Sequence, residues 1–184
     1  MRITLTALLI ASGLSLLSQA PQLKFLHVNI EQGLPDGTIR SITQDKYGYM
    51  WLGTQYGLCR YNGYTVTPFF HSKGDSSSLG GNFIWSVFKD NDGDVWAGND
   101  GWFSRYDYNT NNFKNYKPPY NAVVRKIAQD ENGMLWLATS AGLMKFDKRT
   151  GAFSDFRKLN TGLNQHLSIQ VNDLFLDRQK GLIY

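Results

Sequence analysis

The sequence predicts an all-β chain built from four-stranded blades: a partial β-propeller with about three complete blades and the start of a fourth. Three observations predict it. A sequence unit returns about every 45 residues, glycines fall at fixed places within each unit, and the composition favours strands and tight turns. The chain of 184 residues holds 11 Phe, 10 Tyr, 5 Trp and 18 Gly, residue types of pleated sheet and hairpin rather than of helix. Its 42% hydrophobic content excludes a disordered chain, and 18% charged residues exclude a coiled coil.

Residues 1–20 read as an export signal. Arg2 supplies the positive start, Leu5 to Leu17 the apolar stretch, and Ser18-Gln19-Ala20 the small residues of a cleavage site. The stretch is short for a membrane span. The rest, residues 21–184, is expected to be the incomplete propeller. Without residues 1–20 the chain carries 18 Lys+Arg against 15 Asp+Glu, a mildly basic balance with no basic run, so no nucleic acid contact is expected. The single cysteine, Cys59, excludes an internal disulfide and any multi-cysteine metal site.

The tryptophans set the register of the units. The first runs Ile39, Ile42, Asp45, Gly48, Trp51-Leu52-Gly53-Thr54, Gly57-Leu58, Tyr61. The second runs Ile84, Val87, Asp90, Gly93, Trp96-Ala97-Gly98-Asn99, Gly101-Trp102, Tyr106, and reads as one residue shorter before its glycine. The third runs Val124, Ile127, Asp130, Gly133, Trp136-Leu137-Ala138-Thr139, Gly142-Leu143, Phe146, and a fourth opens with Val171, Leu174 and Asp177. The aspartates stand 45, 40 and 47 positions apart, a period that belongs to propellers and solenoids.

Each unit predicts four strands. The Ile/Val start is an inner strand, and Asp-x-x-Gly is a turn in which the carboxylate bonds nearby backbone and glycine takes positive φ. Trp-Leu-Gly-Thr is the second strand, and its tryptophan packs between neighbouring sheets. Gly57, Gly101 and Gly142 mark a second hairpin turn. Tyr61, Tyr106 and Phe146 close the third strand, and 65–70, 112–116 and 152–156 supply the fourth. Trp51, Trp96 and Trp136 are expected to be equally buried. Leu23 to Ile30 has the composition of an outer strand for a closing blade. Three blades fall short of the four to eight of complete propellers, so the chain reads as the N-terminal part of a longer protein.

Units of this form, preceded by Glu31-Gln32-Gly33-Leu34-Pro35, resemble the two-component regulator propeller repeat. The resemblance implies the periplasmic sensor region of a hybrid two-component system of the Bacteroidetes. There one or two propellers and an immunoglobulin-like domain precede a membrane helix, a histidine kinase, a receiver and a DNA-binding domain. It implies oligosaccharide ligands, a homodimer when full-length, and partners in the missing C-terminal blades and the kinase.

No catalytic site is expected in the chain, and no cofactor or metal. His27, His71 and His166 share no spacing with carboxylates. Asp90-Asn91-Asp92-Gly93-Asp94 resembles the start of a calcium loop but has its glycine misplaced and Gly101 where the closing glutamate belongs. Two other readings stand beside the sensor: a streptogramin-lyase-like propeller enzyme, needing a histidine and a glutamate at the channel, and a structural protein-interaction propeller.

In propellers, function resides in loops and at the channel mouth. The residue after the first apolar position of each inner strand is Arg40, Trp85, Arg125 and Asn172, polar or aromatic between apolar neighbours. An indole with planar hydrogen-bonding groups suits a sugar, and two guanidiniums suit an acidic one. Tyr56 and Trp102, in the second hairpin turns, are further ligand-binding candidates. Asp45, Gly48, Trp51, Asp90, Gly93, Trp96, Asp130, Gly133 and Trp136 are assigned to the structural repeat.

Overall fold

A computed structural model describes residues 25–155, 170–177 and 182–183. The expected export signal and His166 lie outside them. Three antiparallel sheets of four strands follow one another along the chain. Blade 1 is β1 (Ile39–Gln44), β2 (Met50–Thr54), β3 (Gly57–Tyr61) and β4 (Val66–Phe69). Blade 2 is β5 (Ile84–Lys89), β6 (Val95–Asn99), β7 (Phe103–Asp107) and β8 (Asn112–Tyr116). Blade 3 is β9 (Val124–Gln129), β10 (Leu135–Thr139), β11 (Gly142–Asp147) and β12 (Ala152–Asp155). A fourth unit is represented by β13 (Leu176–Asp177) paired with β14 (Leu182–Ile183). Among the described residues no helix is long and apolar enough to cross a membrane.

The core lies between blades. Successive side chains of the second strand point to opposite faces, and both faces are covered. Val95 and Ala97 of β6 join Trp51, Leu58 and Ile84 against blade 1, whereas Trp96 joins Phe103, Leu135 and Leu137 against blade 3. Close approach requires a small residue two positions after each tryptophan. A Cβ on Gly53 would stand 2.7 Å from Ile84 Cγ2, and one on Gly98 would stand 2.5 Å from the Val124 carbonyl oxygen.

The Asp-x-x-Gly-x-x-Trp segment is a latch repeated three times. In blade 1 one carboxylate oxygen of Asp45 accepts the backbone N–H of Tyr47 and Tyr49, at 2.9 and 3.0 Å, and the other accepts the Trp51 indole N–H at 2.8 Å. Asp90 does the same for Asp92, Asp94 and Trp96, and Asp130 for Asn132, Met134 and Trp136. The glycine three residues after each aspartate donates its N–H to the aspartate carbonyl and sits at φ between 80° and 88°, where only glycine is unstrained.

The latch also reaches the next blade. The Tyr108 hydroxyl donates to Asp45 at 2.9 Å, and Lys148 donates to Asp90 at 2.8 Å and also to Asp92. Tyr108 and Lys148 hold the same place, two residues beyond the aromatic that closes the third strand. Those aromatics, Tyr106 and Phe146, pack on Trp51 and Trp96 with ring centroids 4.7 and 5.6 Å apart.

Three expectations need correction. Trp51 and Trp96 are fully buried, but Trp136 is only half-buried. The second unit is not one residue shorter. Trp51 pairs Arg60, Trp96 pairs Arg105 and Trp136 pairs Lys145, which places Phe103 with Leu58 and Leu143, and Trp102 with Gly57 and Gly142. The positive φ moves into the turn itself, to Gly101 at 74°. Residues 25–29 form no strand. The closing blade for which they offered an outer strand is not among the described sheets, and Val28 with Leu34 covers Leu52 and Cys59 of blade 1. Near them β1 leaves Ile42 58% exposed, whereas the equivalent Val87 and Ile127 are 7% and 4% exposed against the preceding blade.

Trp96→Ala should cost about 3–5 kcal/mol, the range of large core truncations, and Trp136→Ala clearly less; urea melts of the two variants read the difference. A second test concerns acid. Burial pushes the Asp90 carboxyl up, but Lys148, the Trp96 indole and the Asp94 amide together hold it below the ordinary carboxylate range. A depressed carboxyl stabilises the fold above its unfolded pKa of about 3.9 and loses that contribution as pH falls through the lower folded value. Lys148→Met should therefore cost about 1.5–3 kcal/mol at neutral pH and move the acid unfolding midpoint upward, measured by circular dichroism against pH.

Candidate functional site

Each inner strand carries a β-bulge. The pairing register slips between Ile39 and Ser41 in β1 and between Ile84 and Ser86 in β5; in the partner of β9 it slips between Ala138 and Thr139, opposite Lys126 and Val124. The extra residue at each slip is Arg40, Trp85 and Arg125. A bulge takes one residue out of the ladder and re-aims its side chain, so three residues that each follow an apolar strand residue are turned out of the inter-blade core. The bulge also lets apolar residues three apart share a face, as Ile84 and Val87 do above Gly53.

The three bulge residues converge in one groove of about 290 Å³ that also takes in Asn172, Lys126 and Asp173. The Arg40 guanidinium lies over the Trp85 ring at 4.6 Å and over Phe83 at 4.7 Å, and that of Arg125 lies 5.7 Å from the same indole. Arg125 donates to Asn172 Oδ1 at 2.7 Å and to Gln170 Oε1 at 3.1 Å. The Trp85 indole donates to Asp100 at 2.7 Å, and Lys126 pairs with Asp173 at 3.2 Å. Beneath the groove, Ser41 accepts the Val87 N–H at 2.9 Å and Ser86 donates to the Val124 carbonyl at 3.2 Å, so the strands carrying the site are bonded blade to blade.

Tyr56 and Trp102 do not join this groove. Tyr56 is exposed in the β2–β3 turn against Phe70, with ring centroids 5.8 Å apart. Trp102 is half-buried in the β6–β7 turn, under Lys117 at 5.6 Å. Both follow turns rather than the inner strands, which is why they stand apart. Of the second-turn residues only Asp100 reaches the site, through the Trp85 indole.

The other polar groups hold the frame. The Asp90–Asp94 run is a turn whose first carboxylate is filled by two amides, an indole and Lys148. Among the described residues no group of three or more His, Cys, Asp or Glu is placed to hold a metal ion. His71 Nδ1 lies 2.8 Å from the Leu79 carbonyl oxygen, and His27 is exposed near the start of the described chain; neither lines the groove. Cys59 is buried in β3, and burial pushes its thiol up to about 12.

Residues 33–56 and 78–101 match the family described as two component regulator propeller. Two segments of the chain are thus similar to two-component regulator propeller repeats. Each matched segment holds the bulge residue, the aspartate latch and the second strand of its blade. Over 87 residues the chain is 33% identical to Histidine kinase P4 of Formosa agariphila, covering 41% of this chain and 6% of that protein. The fold superposes on the extracellular domain of a B. thetaiotaomicron hybrid two component system with a TM-score of 0.72 and 25% identity, over 82% of this chain and 22% of that one. A second such domain from the same organism gives 0.68 and 26%, over 87% and 22%. The repeats thus span about a fifth of the length of these extracellular domains. Virginiamycin B lyase from Staphylococcus aureus, at 17% identity, TM-score 0.52 and 64% and 40% coverage, shares the fold alone.

A thiol that titrates near 12 is almost wholly protonated at pH 8 and a poor nucleophile. Cys59 should therefore stay unlabelled by a disulfide reagent in the native protein and react stoichiometrically after unfolding in guanidinium, followed by absorbance.

Proposed function

We propose that this chain is the N-terminal part of the ligand-sensing propeller of a hybrid two-component sensor, and that its ligand is an oligosaccharide bound at the channel mouth. One observation carries the reading: three blades in succession each spend a β-bulge on presenting a guanidinium or an indole to the same groove. An indole face packs on the C–H surface of a sugar, and the planar groups beside it accept and donate at its hydroxyls. The relatives' extracellular placement supports export of this segment, with residues 1–20 as the signal and the remaining protein anchored in the inner membrane. Its partners are then the remaining blades and the kinase, in a homodimer, with no nucleic acid contact by this segment.

The segment performs no chemistry on its ligand in this reading. Occupancy acts by differential binding: a ligand that touches several blades favours the arrangement of blades it fits best, and that bias passes to the kinase. Calorimetric titration of a panel of plant and host glycan oligosaccharides tests it. At least one should bind, and Trp85→Ala should weaken that binding tenfold or more while leaving the unfolding midpoint within a few degrees of wild type. Unchanged affinity in Trp85→Ala removes the groove as the ligand site.

A further inference from the structure

We infer that the groove selects an anionic ligand, one whose carboxylate or sulfate group is held between Arg40 and Arg125 above Trp85. The inference rests on the groove being the ligand site and goes further by fixing the charge of what enters it. Its basis is an imbalance of partners. Among the described residues neither guanidinium has a carboxylate within ion-pair distance. Arg40 is given two aromatic faces, Phe83 and Trp85, and Arg125 two neutral amides, Gln170 and Asn172, with Trp85 on its flank. Several other cations of the chain do sit against a carboxylate: Arg105 pairs Asp94, Lys126 pairs Asp173, Lys145 pairs Asp130 and Lys148 pairs Asp90. The groove's own two carboxylates are already engaged, Asp100 by the Trp85 indole and Asp173 by Lys126.

Two guanidiniums packed against one indole, neither paired with a carboxylate, repel each other. An anion placed between them removes that repulsion and offers each planar fork a bidentate partner. Their location adds a consequence. Arg40 belongs to blade 1, Trp85 to blade 2, Arg125 to blade 3, and its partner Asn172 precedes β13 of the fourth unit. One anionic group in this place ties successive blades together, so binding should stiffen the ring as well as fill the groove.

The test titrates the full chain with trigalacturonate, with galactotriose as its neutral counterpart, and with sodium sulfate, in low salt and in 0.5 M sodium chloride. Expected are binding of trigalacturonate at least tenfold tighter than galactotriose, a rise in unfolding temperature with trigalacturonate or sulfate, and loss of both effects in high salt. Arg40→Gln and Arg125→Gln should each weaken the acidic ligand about tenfold or more and weaken galactotriose severalfold less than that, and Arg40→Lys should restore part of the loss of the acidic ligand. Arg125→Gln keeps an amide beside Asn172, so it serves as the variant if Arg40→Gln fails to fold. Equal affinity for the acidic and neutral sugars, or glutamine variants that bind trigalacturonate like wild type, overturns the inference and leaves the oligosaccharide reading intact. Sulfate binding that depends on both arginines, with no sugar bound, upholds the anion site and overturns the oligosaccharide reading. Binding of none of the probes overturns the anion site.

Discussion

Each blade is organised around a carboxylate that accepts the indole N–H of the tryptophan six residues later. The bond fixes the tryptophan rotamer, the turn between the first two strands and the depth at which the ring enters the inter-blade space. A buried indole N–H without a partner costs free energy, and an aspartate in a tight turn is the acceptor that also satisfies two amides of that turn. In blades 1 and 2 the same carboxylate oxygen takes a further donor from the next blade, Tyr108 or Lys148. Blade geometry and blade-to-blade spacing are therefore set at one atom.

A cation stands opposite each tryptophan on the neighbouring strand. Arg60, Arg105 and Lys145 lie over Trp51, Trp96 and Trp136 at 5.8, 5.8 and 5.0 Å. Arg60 also donates to the Tyr106 hydroxyl at 3.0 Å, joining blade 1 to blade 2 at the outer side of the indole. Trp51 and Trp96 are thus each held by an anion at the N–H, a cation over the face and an aromatic from the following blade. Large rings can be core residues here because each polar edge has a partner.

Most of the fold was legible in the sequence, and for a physical reason. A repeat repeats its solution, so three copies of Asp-x-x-Gly-x-x-Trp displayed the turn and the buried ring three times over. The second-unit hairpin was less legible because its glycine, Gly101, stands one place early in the turn, whereas strand pairing follows the cross-strand partner of the tryptophan, Arg105. The unequal burial of Trp136 was not legible, since burial belongs to the neighbouring blade and not to the residue. At the site, Arg40, Trp85 and Arg125 stood out as polar or aromatic residues in apolar strands. Their cause, the bulge, was also legible: Ile39 and Ile42, Ile84 and Val87, and Val124 and Ile127 are spaced by three, which a regular strand cannot place on one face. The part Asp100 plays beside Trp85 was not legible, because it depends on a contact across fifteen residues.

The spacing of the latch bears on how such a chain folds. Each aspartate and tryptophan are six residues apart, whereas the side-chain bonds between the three complete blades join residues 38 to 63 positions apart. The first hairpin of a blade can thus close with little loop entropy, before its neighbour exists, and the neighbour then docks on a surface already shaped. Assembly by addition of adjacent units keeps every contact short in sequence relative to the whole ring. A nascent chain leaving the ribosome or a translocation pore meets the conditions for this growth one blade at a time, with the Asp–Trp hairpin as the nucleus of each step.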